Sequence, residues 1–497
     1  MALHIEILIH ICNKLYKSPD FYGIIEVSTN PLRPMKRGTF MNTIITDNSN
    51  AEHTIISKID TFFSSFSISK LMKKSNFYKE GGIQCVVVLK GIFGLVFSGK
   101  NLFRTLKMNP DDISFKKNTA YRFLNSSSYN WARLLLLLVT IIIEGINRLT
   151  SEDRVSVLIV DDSLYDRSRS KKVELLSRIF DHTTHKFVKG FKMLTIGWSD
   201  GTTFLPVAFS LLSSRQEKKI LCPVDSKIDK RSAGFKKRAE ATVKSTETFL
   251  KLLDSVKGLP AKYLLFDSWF AFPKTIVSVV KRKLDVICML KISSKIHYLY
   301  QGEWMNLKEI YKRITPTAKG DIIGFVIASI RESKKNPDLV DVKIVFVKNR
   351  HSKNWLAVLS TDTAISEEEI IRIYGKRWDI EVFFKVVKSY LALAKEFQGR
   401  SYDMMLAHTT IVFMRYGMLS LESRNSSDPR TIGDLFFYIC DEAEDIKFST
   451  SLMLVVELLK KILNDNPVIS EEIAHQIMDA FILALPEVWK QKLKLSA

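Results

Sequence analysis

Val155-Ser-Val-Leu-Ile-Val-Asp-Asp-Ser163 is the stretch of sequence on which the prediction of the fold depends. A short apolar run rich in β-branched residues is typical of a buried strand, and the acids that follow it would lie at the carboxyl end of that strand. A second short run, Tyr263-Leu-Leu-Phe266, ends in the same way at Asp267. Because the carboxyl ends of neighbouring parallel strands meet at one edge of a sheet, Asp162 and Asp267 are expected to lie together.

Each of these acids has a second interpretation. Alternate residues of a strand point to opposite faces, so only one of the adjacent acids Asp161 and Asp162 can enter a given site. An acid that ends a strand is also commonly a helix N-cap or a turn former. A set of converging carboxylates, in contrast, is what phosphoryl transfer by two metal ions requires. The prediction of chemistry therefore depends on a third acid.

The third acid lies on the predicted helix Tyr374-Gly-Lys-Arg-Trp-Asp-Ile-Glu-Val-Phe-Phe-Lys-Val-Val-Lys388. At roughly 100° per residue, Tyr374, Arg377, Glu381 and Lys388 share an arc of roughly 60° on one face of that helix. This face combines a carboxylate with a phenol and two cations, which are groups suited to binding a metal and phosphates. The alternative is a solvated face with an i,i+4 ion pair between Arg377 and Glu381.

The composition of the chain indicates the kind of partner. Its 497 residues contain 74 Lys and Arg against 53 Asp and Glu, a formal net charge of +21. Such an excess favours an anionic polymer or a membrane surface as partner. The five cysteines form no CxxC pair and no Cys/His cluster, which argues against a structural zinc site or a disulfide framework and fits a reducing cytoplasm. The longest apolar run, Leu134–Ile143, is about half as long as a membrane-spanning helix and is predicted to be a buried core helix.

Six regions are expected along the chain. They are an N-terminal extension (1–40), a DNA-binding domain (41–150), the first part of a catalytic core (151–285), an insertion (286–362), the second part of the core (363–400) and a C-terminal region (401–497). The first shows no helix or strand period and is predicted to carry no function. The second and the last are predicted to be helical, and the insertion to be mainly β.

Two basic segments are further candidates for binding DNA. Lys116 and Lys117 precede a short predicted helix that presents Tyr121 and Arg122, which is compatible with a helix-turn-helix-like unit or with a plain basic bundle. The Lys- and Arg-rich segment 215–244 is predicted to be a loop or exposed arm. It would be either a tract along the DNA backbone or a merely solvated loop.

The three acidic segments resemble those of the bacterial insertion-sequence transposases that have a DDE catalytic triad and a β-strand insertion domain. The strand that ends at Asp161 and Asp162 is similar to the first-Asp strand of this family, and Leu-Leu-Phe-Asp267-Ser-Trp-Phe is similar to its second-Asp segment. The Y-(2)-R-(3)-E-(6)-K signature of the family is matched at every spacing by Tyr374, Arg377, Glu381 and Lys388.

The resemblance implies an α/β fold with an RNase H-like catalytic core, a mixed sheet flanked by helices, interrupted by the mainly β insertion. It implies that Asp162, Asp267 and Glu381 are catalytic and bind two Mg²⁺ ions, with Mn²⁺ able to substitute. Within the adjacent pair, Asp162 is preferred and Asp161 is kept in reserve. The residues that would hold DNA phosphates at the element end are Tyr374, Arg377 and Lys388.

The function implied by the resemblance is that of a DNA transposase. Such an enzyme binds the terminal inverted repeats of its element, cleaves the DNA there and joins the 3′-hydroxyl ends to target DNA. Cutting and joining two ends implies a homodimer on double-stranded DNA, in the cytoplasm and away from membranes. The alternatives are an RNase H-fold nuclease without strand transfer and an inactive DNA-binding derivative of a transposase.

Aromatic residues near these segments allow two roles. In the family, an aromatic side chain of the insertion domain often stacks on a displaced base, a role with a clear physical basis. Trp304 and Tyr300 are the candidates for this role, the alternative being that they belong to the core of the insertion. Trp269 and Trp378 adjoin the acids and are expected to pack beneath them.

Overall fold

The computed structural model describes residues 55–99, 101–108, 113–148, 154–181, 184–224, 227–314, 316, 320–349, 354–396, 399–425, 458–459, 461–464 and 469–485. The predicted extension at 1–40 lies outside the described residues. The α-helices are α1 (Ile55–Ser65), α2 (Ile68–Lys74), α3 (Cys85–Gly94), α4 (Leu102–Met108), α5 (Lys117–Leu124), α6 (Trp131–Arg148), α7 (Ala233–Ala241), α8 (Ser245–Ser255), α9 (Pro273–Val280), α10 (Leu307–Lys312), α11 (Glu367–Gly375), α12 (Trp378–Ser389), α13 (Tyr402–Asn425) and α14 (Glu471–Ala484). The strands are β1 (Val157–Asp166), β2 (Ser177–Asp181), β3 (Lys186–Ser199), β4 (Phe204–Leu212), β5 (Tyr263–Phe266), β6 (Asp285–Met289), β7 (Tyr298–Tyr300), β8 (Glu303–Met305), β9 (Ile322–Ser333), β10 (Asn336–Lys348) and β11 (Trp355–Ser360).

The described part of the chain before β1 is helical, as the apolar periodicity predicts. Helix α6 contains the apolar run Leu134–Ile143 and buries a residue every three to four positions, so the prediction of a buried core helix is confirmed. Aromatic rings fix its start: the ring centroid of Phe77 lies 4.7 Å from that of Trp131 and 4.6 Å from that of Tyr129. None of the helices in the described ranges is long and apolar enough to cross a membrane.

A mixed sheet of 11 strands organises the rest of the described chain. β1 lies inside it, antiparallel to β3 and parallel to β5, and β5 is in turn parallel to β6. The other edge of the long strand β3 pairs first with β2 and then with β4. With helices packed against this mixed sheet, the molecule has the RNase H-like core that the resemblance implies.

The predicted β-rich segment extends the same sheet. β11 pairs antiparallel with β6, β10 with β11, and β9 with β10 across the short turn at Lys334. The expected start of the insertion, residue 286, thus falls inside β6, which also pairs with the core strand β5. The strands of this segment therefore continue the core sheet edge to edge, and the limits of the domains stay a prediction.

Two aromatic residues of this segment are covered by the protein itself. The guanidinium of Arg331 lies 4.0 Å from the ring centroid of Trp304. Tyr300 is half-buried and packs against the main core. The packing of Tyr300 agrees with the alternative in which it belongs to the core of the insertion, while the role of Trp304 stays a prediction.

The prediction for segment 215–244 is wrong in its second half, where α7 forms. Ser232 caps this helix by accepting a hydrogen bond from the N–H of Phe235. Arg238 is buried, and its guanidinium donates to the carboxylates of Glu174 (2.6 Å) and Asp403 (2.8 Å). The composition misled the prediction because an arginine takes the place of a large apolar residue at the buried face of α7.

A second buried arginine joins the N-terminal helices to the core. Arg415 of α13 is fully buried and donates to the carboxylate of Glu396 at 2.6 and 3.0 Å. It also donates to the backbone carbonyls of Ile92 and Phe93, at 2.7 and 2.9 Å, at the end of α3. These carbonyls belong to the last turn of a helix, where backbone donors are few; that of Ile92 also accepts from the N–H of Leu95. Arg415 thus ties α3 to α13.

A tight turn joins β3 to β4, and a buried acid stabilises it. Asp200 accepts hydrogen bonds from the backbone N–H groups of Thr202 (2.9 Å) and Thr203 (2.8 Å). The guanidinium of Arg424 in α13 donates to the same carboxylate at 2.9 Å. Burial acts to raise the pKa of Asp200, but the backbone hydrogen bonds and Arg424 outweigh burial and hold the pKa below its ordinary value.

We expect Asp200→Asn to lower the free energy of unfolding at pH 7 by about 1–3 kcal/mol, since it weakens a buried charged acceptor. The folded pKa of Asp200 is depressed, so its carboxylate stabilises the protein above about pH 4 and loses this effect as the pH falls through the folded value. The difference in the free energy of unfolding between the wild type and the variant should therefore be smaller at pH 3 than at pH 7. Urea unfolding followed by circular dichroism measures this difference. Asp338→Asn, at an exposed position of β10, is the matched control. An equal loss at both pH values would contradict the assignment.

Candidate active site

The first two acids lie side by side because of the register of two strands. β1 and β5 pair in parallel, and their last aligned residues are Val160 and Phe266. The next residue along each chain segment is an acid, so Asp161 and Asp267 lie at the same level. Asp267 directly follows the end of β5, as predicted, but Asp161 and Asp162 lie inside β1, which continues to Asp166, so the prediction that they end their strand is wrong. Burial and the negative charge of Asp267 raise the pKa of Asp161 well above its ordinary value, although Arg377 opposes this shift. Burial also raises the pKa of Asp267.

The third acid reaches this edge on α12. The predicted single helix through 374–388 is two helices, α11 and α12, because Lys376 and Arg377 donate their N–H groups three residues back, to Ile373 and Tyr374. Phe383 anchors α12: its ring centroid lies 5.2 Å from that of Phe204 in β4 and 4.8 Å from that of Tyr416 in α13. The sheet and α13 thereby hold α12 so that Glu381 faces Arg377.

Arg377 lies between two of the acids. Its guanidinium is 2.5 Å from a carboxylate oxygen of Glu381 and 3.6 Å from one of Asp161. The side chain of Arg377 is only 8% exposed. The predicted ion pair is thus confirmed, but the interpretation of this helix face as solvated is wrong. Although burial acts to lower the pKa of Arg377, the nearby tyrosine and acids raise it, so this buried arginine stays charged.

Asp162 makes a different contact from Asp161. Its carboxylate lies 2.8 Å from the Nζ of Lys192 in β3, and both side chains are largely buried. Lys192 pairs with Leu164 in the ladder between β1 and β3, while Asp162 pairs with Leu194, so the two charged residues are diagonal neighbours on one face. Sequence reasoning missed Lys192 because this neighbourhood depends on the strand register.

The two remaining signature residues flank the acids. The Nζ of Lys388 donates to the hydroxyl of Ser163 in β1, and burial lowers the pKa of Lys388. Tyr374 is buried, and its hydroxyl has no hydrogen-bond partner among the described residues. Burial raises the pKa of Tyr374, with smaller effects from Arg377, which lowers it, and from Asp267, which raises it. A buried hydroxyl without a hydrogen-bond partner is costly.

The prediction that Trp269 packs beneath the acids is wrong. Its side chain is 47% exposed, and its backbone N–H donates to the carboxylate of Asp267 at 2.9 Å. This contact forms a turn immediately after β5, which carries the indole outward from the sheet edge. Trp378, in contrast, is half-buried at the start of α12.

The acids fit a divalent metal in chemistry but are not assembled around one. Within the described ranges, no three His, Cys, Asp or Glu side chains are placed to hold a metal ion. Carboxylate oxygens are the ligands that Mg²⁺ prefers, and a cation would relieve the repulsion between Asp161 and Asp267. At present the guanidinium of Arg377 supplies the positive charge next to Asp161 and Glu381. A metal set that includes Glu381 therefore requires this carboxylate to exchange Arg377 for the ion.

An RNase H-like core whose sheet edge carries two aspartates, with a glutamate on a following helix, defines the class of DDE nucleases and transposases. Comparison with known families agrees: a family model described as DDE superfamily endonuclease matches residues 99–303, and one described as transposase DDE domain matches residues 234–416. No match was found among curated proteins. Over these residues the chain is similar to the DDE endonucleases and transposases.

Proposed function

We propose that this protein is the DNA transposase of an insertion sequence. It binds the terminal inverted repeats of the element, cleaves the DNA at the element ends and joins the 3′-hydroxyl ends to target DNA. The observation that carries the proposal is that Asp161 lies level with Asp267, while the buried Arg377 contacts both Asp161 and Glu381. Phosphoryl transfer needs such a group of acids together with cations that hold the substrate.

The metal-binding residues of the proposal are Asp161, Asp267 and Glu381. Asp161 replaces the Asp162 preferred from the sequence, because Asp161 is level with Asp267 and contacts Arg377, while Asp162 pairs with Lys192. Two Mg²⁺ ions, or Mn²⁺ in their place, would activate the attacking oxygen and stabilise the leaving oxygen when bound there.

The cationic residues and the tyrosine hold the DNA in this proposal. Arg377 gives up its contact with Glu381 and donates to a phosphate of the element end, a geometry for which its planar guanidinium is suited. Lys388, whose Nζ donates to the hydroxyl of Ser163 in the protein alone, supplies a second cation beside β1. The unpaired hydroxyl of Tyr374 donates to a third oxygen of the bound group. Together these residues fix the scissile phosphate against the acids.

The partners follow from the reaction and the charge. A net charge of +21 attracts double-stranded DNA, both the element ends and the target, through contacts that carry little sequence information. Joining two ends in one event requires two active sites, so we propose a homodimer on the DNA, acting in the cytoplasm.

The experiment that tests the function uses a labelled duplex carrying one element end, taken from inverted repeats in the DNA that flanks the gene. The protein is incubated with this duplex, a circular target and Mg²⁺. Labelled end joined to the target is the expected product. Cleavage of the labelled end without joining would show a nuclease instead, and binding without cleavage would show an inactive derivative.

Substitution of each adjacent acid by Asn distinguishes which of Asp161 and Asp162 is the metal ligand. We expect Asp161→Asn to lower the cleavage rate by roughly a thousandfold, because a lost metal ligand costs several kcal/mol of transition-state stabilisation. Asp162→Asn keeps metal binding in this proposal and should cost far less, roughly tenfold or below. Single-turnover cleavage of the labelled end in Mg²⁺ measures both variants. A dead Asp162→Asn beside an active Asp161→Asn would reverse the assignment.

A further inference from the structure

Lys192 of β3 places a cation beside the acids to which the proposed function gives no role. Its Nζ lies 2.8 Å from the carboxylate of Asp162 and 4.7 Å from the ring centroid of Trp269. Burial raises the pKa of Asp267, and the positive charge of Lys192 is among the effects that oppose this shift, so Lys192 is close to Asp267 as well. A carboxylate and an aromatic face together restrict a flexible lysine side chain. Lys192 is therefore held next to a proposed metal ligand.

This lysine lies on the opposite face of the sheet from the two cations of the family signature. Successive residues of a strand point to opposite faces. The signature cations contact Asp161 and Ser163, which share one face of β1. Asp162 points to the other face, where Lys192 is its diagonal neighbour across the ladder of β1 and β3. The signature cations and Lys192 therefore approach the acids from opposite faces.

We propose that Lys192 binds a phosphate of the target DNA, and that Asp162 positions Lys192 for this contact. The inference rests on the proposed function, in which two DNA molecules meet at one set of acids. In that proposal Arg377 and Lys388 hold the element end from one face, so the target backbone reaches the acids from the face that carries Lys192. An ammonium has three N–H donors, and its pair with Asp162 leaves two of them for phosphate oxygens.

The two steps of the proposed reaction differ in the DNA that each requires. Cleavage uses an element end and water. In joining, the 3′-oxygen of that end bonds to a target phosphorus while the bond from this phosphorus to a target oxygen breaks, and the proton of the attacking hydroxyl passes through water to the leaving oxygen. A residue that contacts only the target therefore affects joining and leaves cleavage intact. Retained cleavage also shows that a variant is folded.

Joining and cleavage are measured separately in Mg²⁺. Joining uses a labelled, pre-cleaved duplex with a 3′-hydroxyl end and increasing concentrations of a circular target, and cleavage uses the uncut duplex. Lys192→Met should raise the target concentration for half-maximal joining by about 10- to 100-fold, the range for one charged hydrogen bond, and should cleave within about threefold of the wild type. Lys192→Arg should recover most of the joining, because it keeps the positive charge.

Lys262→Met is the matched control for the loss of a held lysine. The Nζ of Lys262 lies 3.2 Å from the carboxylate of Asp362 and 4.9 Å from the ring centroid of Tyr263. This arrangement resembles that of Lys192, but it lies at the start of β5, the end of the strand away from the acids. Lys262→Met should join and cleave like the wild type.

A double variant tests the positioning role of Asp162. Asp162→Asn alone should lower joining, because Lys192 then loses the charged partner that orients it. In the Lys192→Met background the same substitution should have no further effect, since Asp162 acts on the target only through Lys192. A further loss of joining in the double variant would overturn the positioning role.

DNA binding in EDTA tests the contact without chemistry. The probe is a fluorescent duplex of random sequence, and its anisotropy gives the affinity at several salt concentrations. Lys192→Met should reduce the slope of log affinity against log salt by about 0.9, the value for one lost phosphate contact, and Lys262→Met should leave the slope unchanged.

Two results would overturn the inference. An equal loss of cleavage and joining in Lys192→Met would place this lysine at the element end. Unchanged joining with an unchanged salt slope would show that Lys192 does not contact DNA. Failure of the proposed function gives a different pattern, in which the wild type joins no element end and the salt slope alone decides whether Lys192 contacts a DNA backbone.

Discussion

Asp267→Asn is expected to lower the rate of Mg²⁺-dependent cleavage at an element end by roughly a thousandfold or more. Asp267 follows β5 at the level of Asp161, so its carboxylate is central to the proposed metal set. An amide is a weaker ligand for hard cations, and several kcal/mol of lost transition-state stabilisation corresponds to about a thousandfold in rate. Single-turnover cleavage of the labelled duplex measures the effect, and gel-shift binding of the same duplex should remain.

The same substitution is expected to leave the fold intact, which distinguishes a chemical loss from unfolding. Burial raises the folded pKa of Asp267, so its charged form costs stability at neutral pH and a neutral amide removes this cost. Asp267→Asn should therefore melt no lower than the wild type. Asp254→Asn, at an acid paired with Arg282 on the surface of α8, is the matched control and should cleave normally. Full activity of Asp267→Asn would exclude the proposed site.

Arg415→Met is expected to lower the free energy of unfolding by about 3–5 kcal/mol, the cost of removing one partner of a buried ion pair. The variant leaves Glu396 buried without its cation, and it also removes the guanidinium donor from the carbonyls of Ile92 and Phe93. Because these contacts join α3 to α13, the loss should be largest for the N-terminal helices. Urea unfolding, combined with hydrogen exchange of α3, measures it.

Two comparisons test whether the buried pair is the cause. Arg231→Met removes an arginine whose side chain is 92% exposed and should change the stability by less than about 0.5 kcal/mol. Adding Glu396→Gln to Arg415→Met should recover part of the loss, since the buried acid is then neutral. A double variant as unstable as the sum of the single ones would show that the two residues act independently.

The sequence predicted the parts of the fold that local pattern controls. The β-branched run before Asp161 forms β1, the run before Asp267 forms β5, and the apolar run Leu134–Ile143 forms the core of α6. Each of these elements is specified by its own residues, through alternation or helical periodicity. The proximity of the acids on β1 and after β5 could be foreseen because these strands are parallel neighbours, but the continuation of β1 past its acids to Asp166 could not.

What depends on distant neighbours could not be predicted. The choice between Asp161 and Asp162 requires the register of β1 with β5 and the place of Lys192 on β3. Arg238 looked like part of an exposed basic arm because its partners, Glu174 and Asp403, lie far away in the sequence. In each case tertiary pairing of charges decides the position of a residue whose local pattern indicates only a polar surface.

The position of Arg377 between Asp161 and Glu381 has a consequence for how metal ions and DNA bind to the site. Arg377 is a counter-ion built into the chain, so Asp161 and Glu381 have a positive charge beside them in the folded protein before any metal binds. Under the proposed function, a DNA phosphate that draws Arg377 away frees Glu381 for an ion, and an ion that takes Glu381 frees Arg377 for the phosphate. Thermodynamic linkage requires the coupling between the two ligands to be reciprocal. DNA should raise the affinity of the protein for Mg²⁺ by the same factor by which Mg²⁺ raises its affinity for DNA. Such an enzyme would hold its ions firmly only when an element end is in place, which protects other DNA from cleavage.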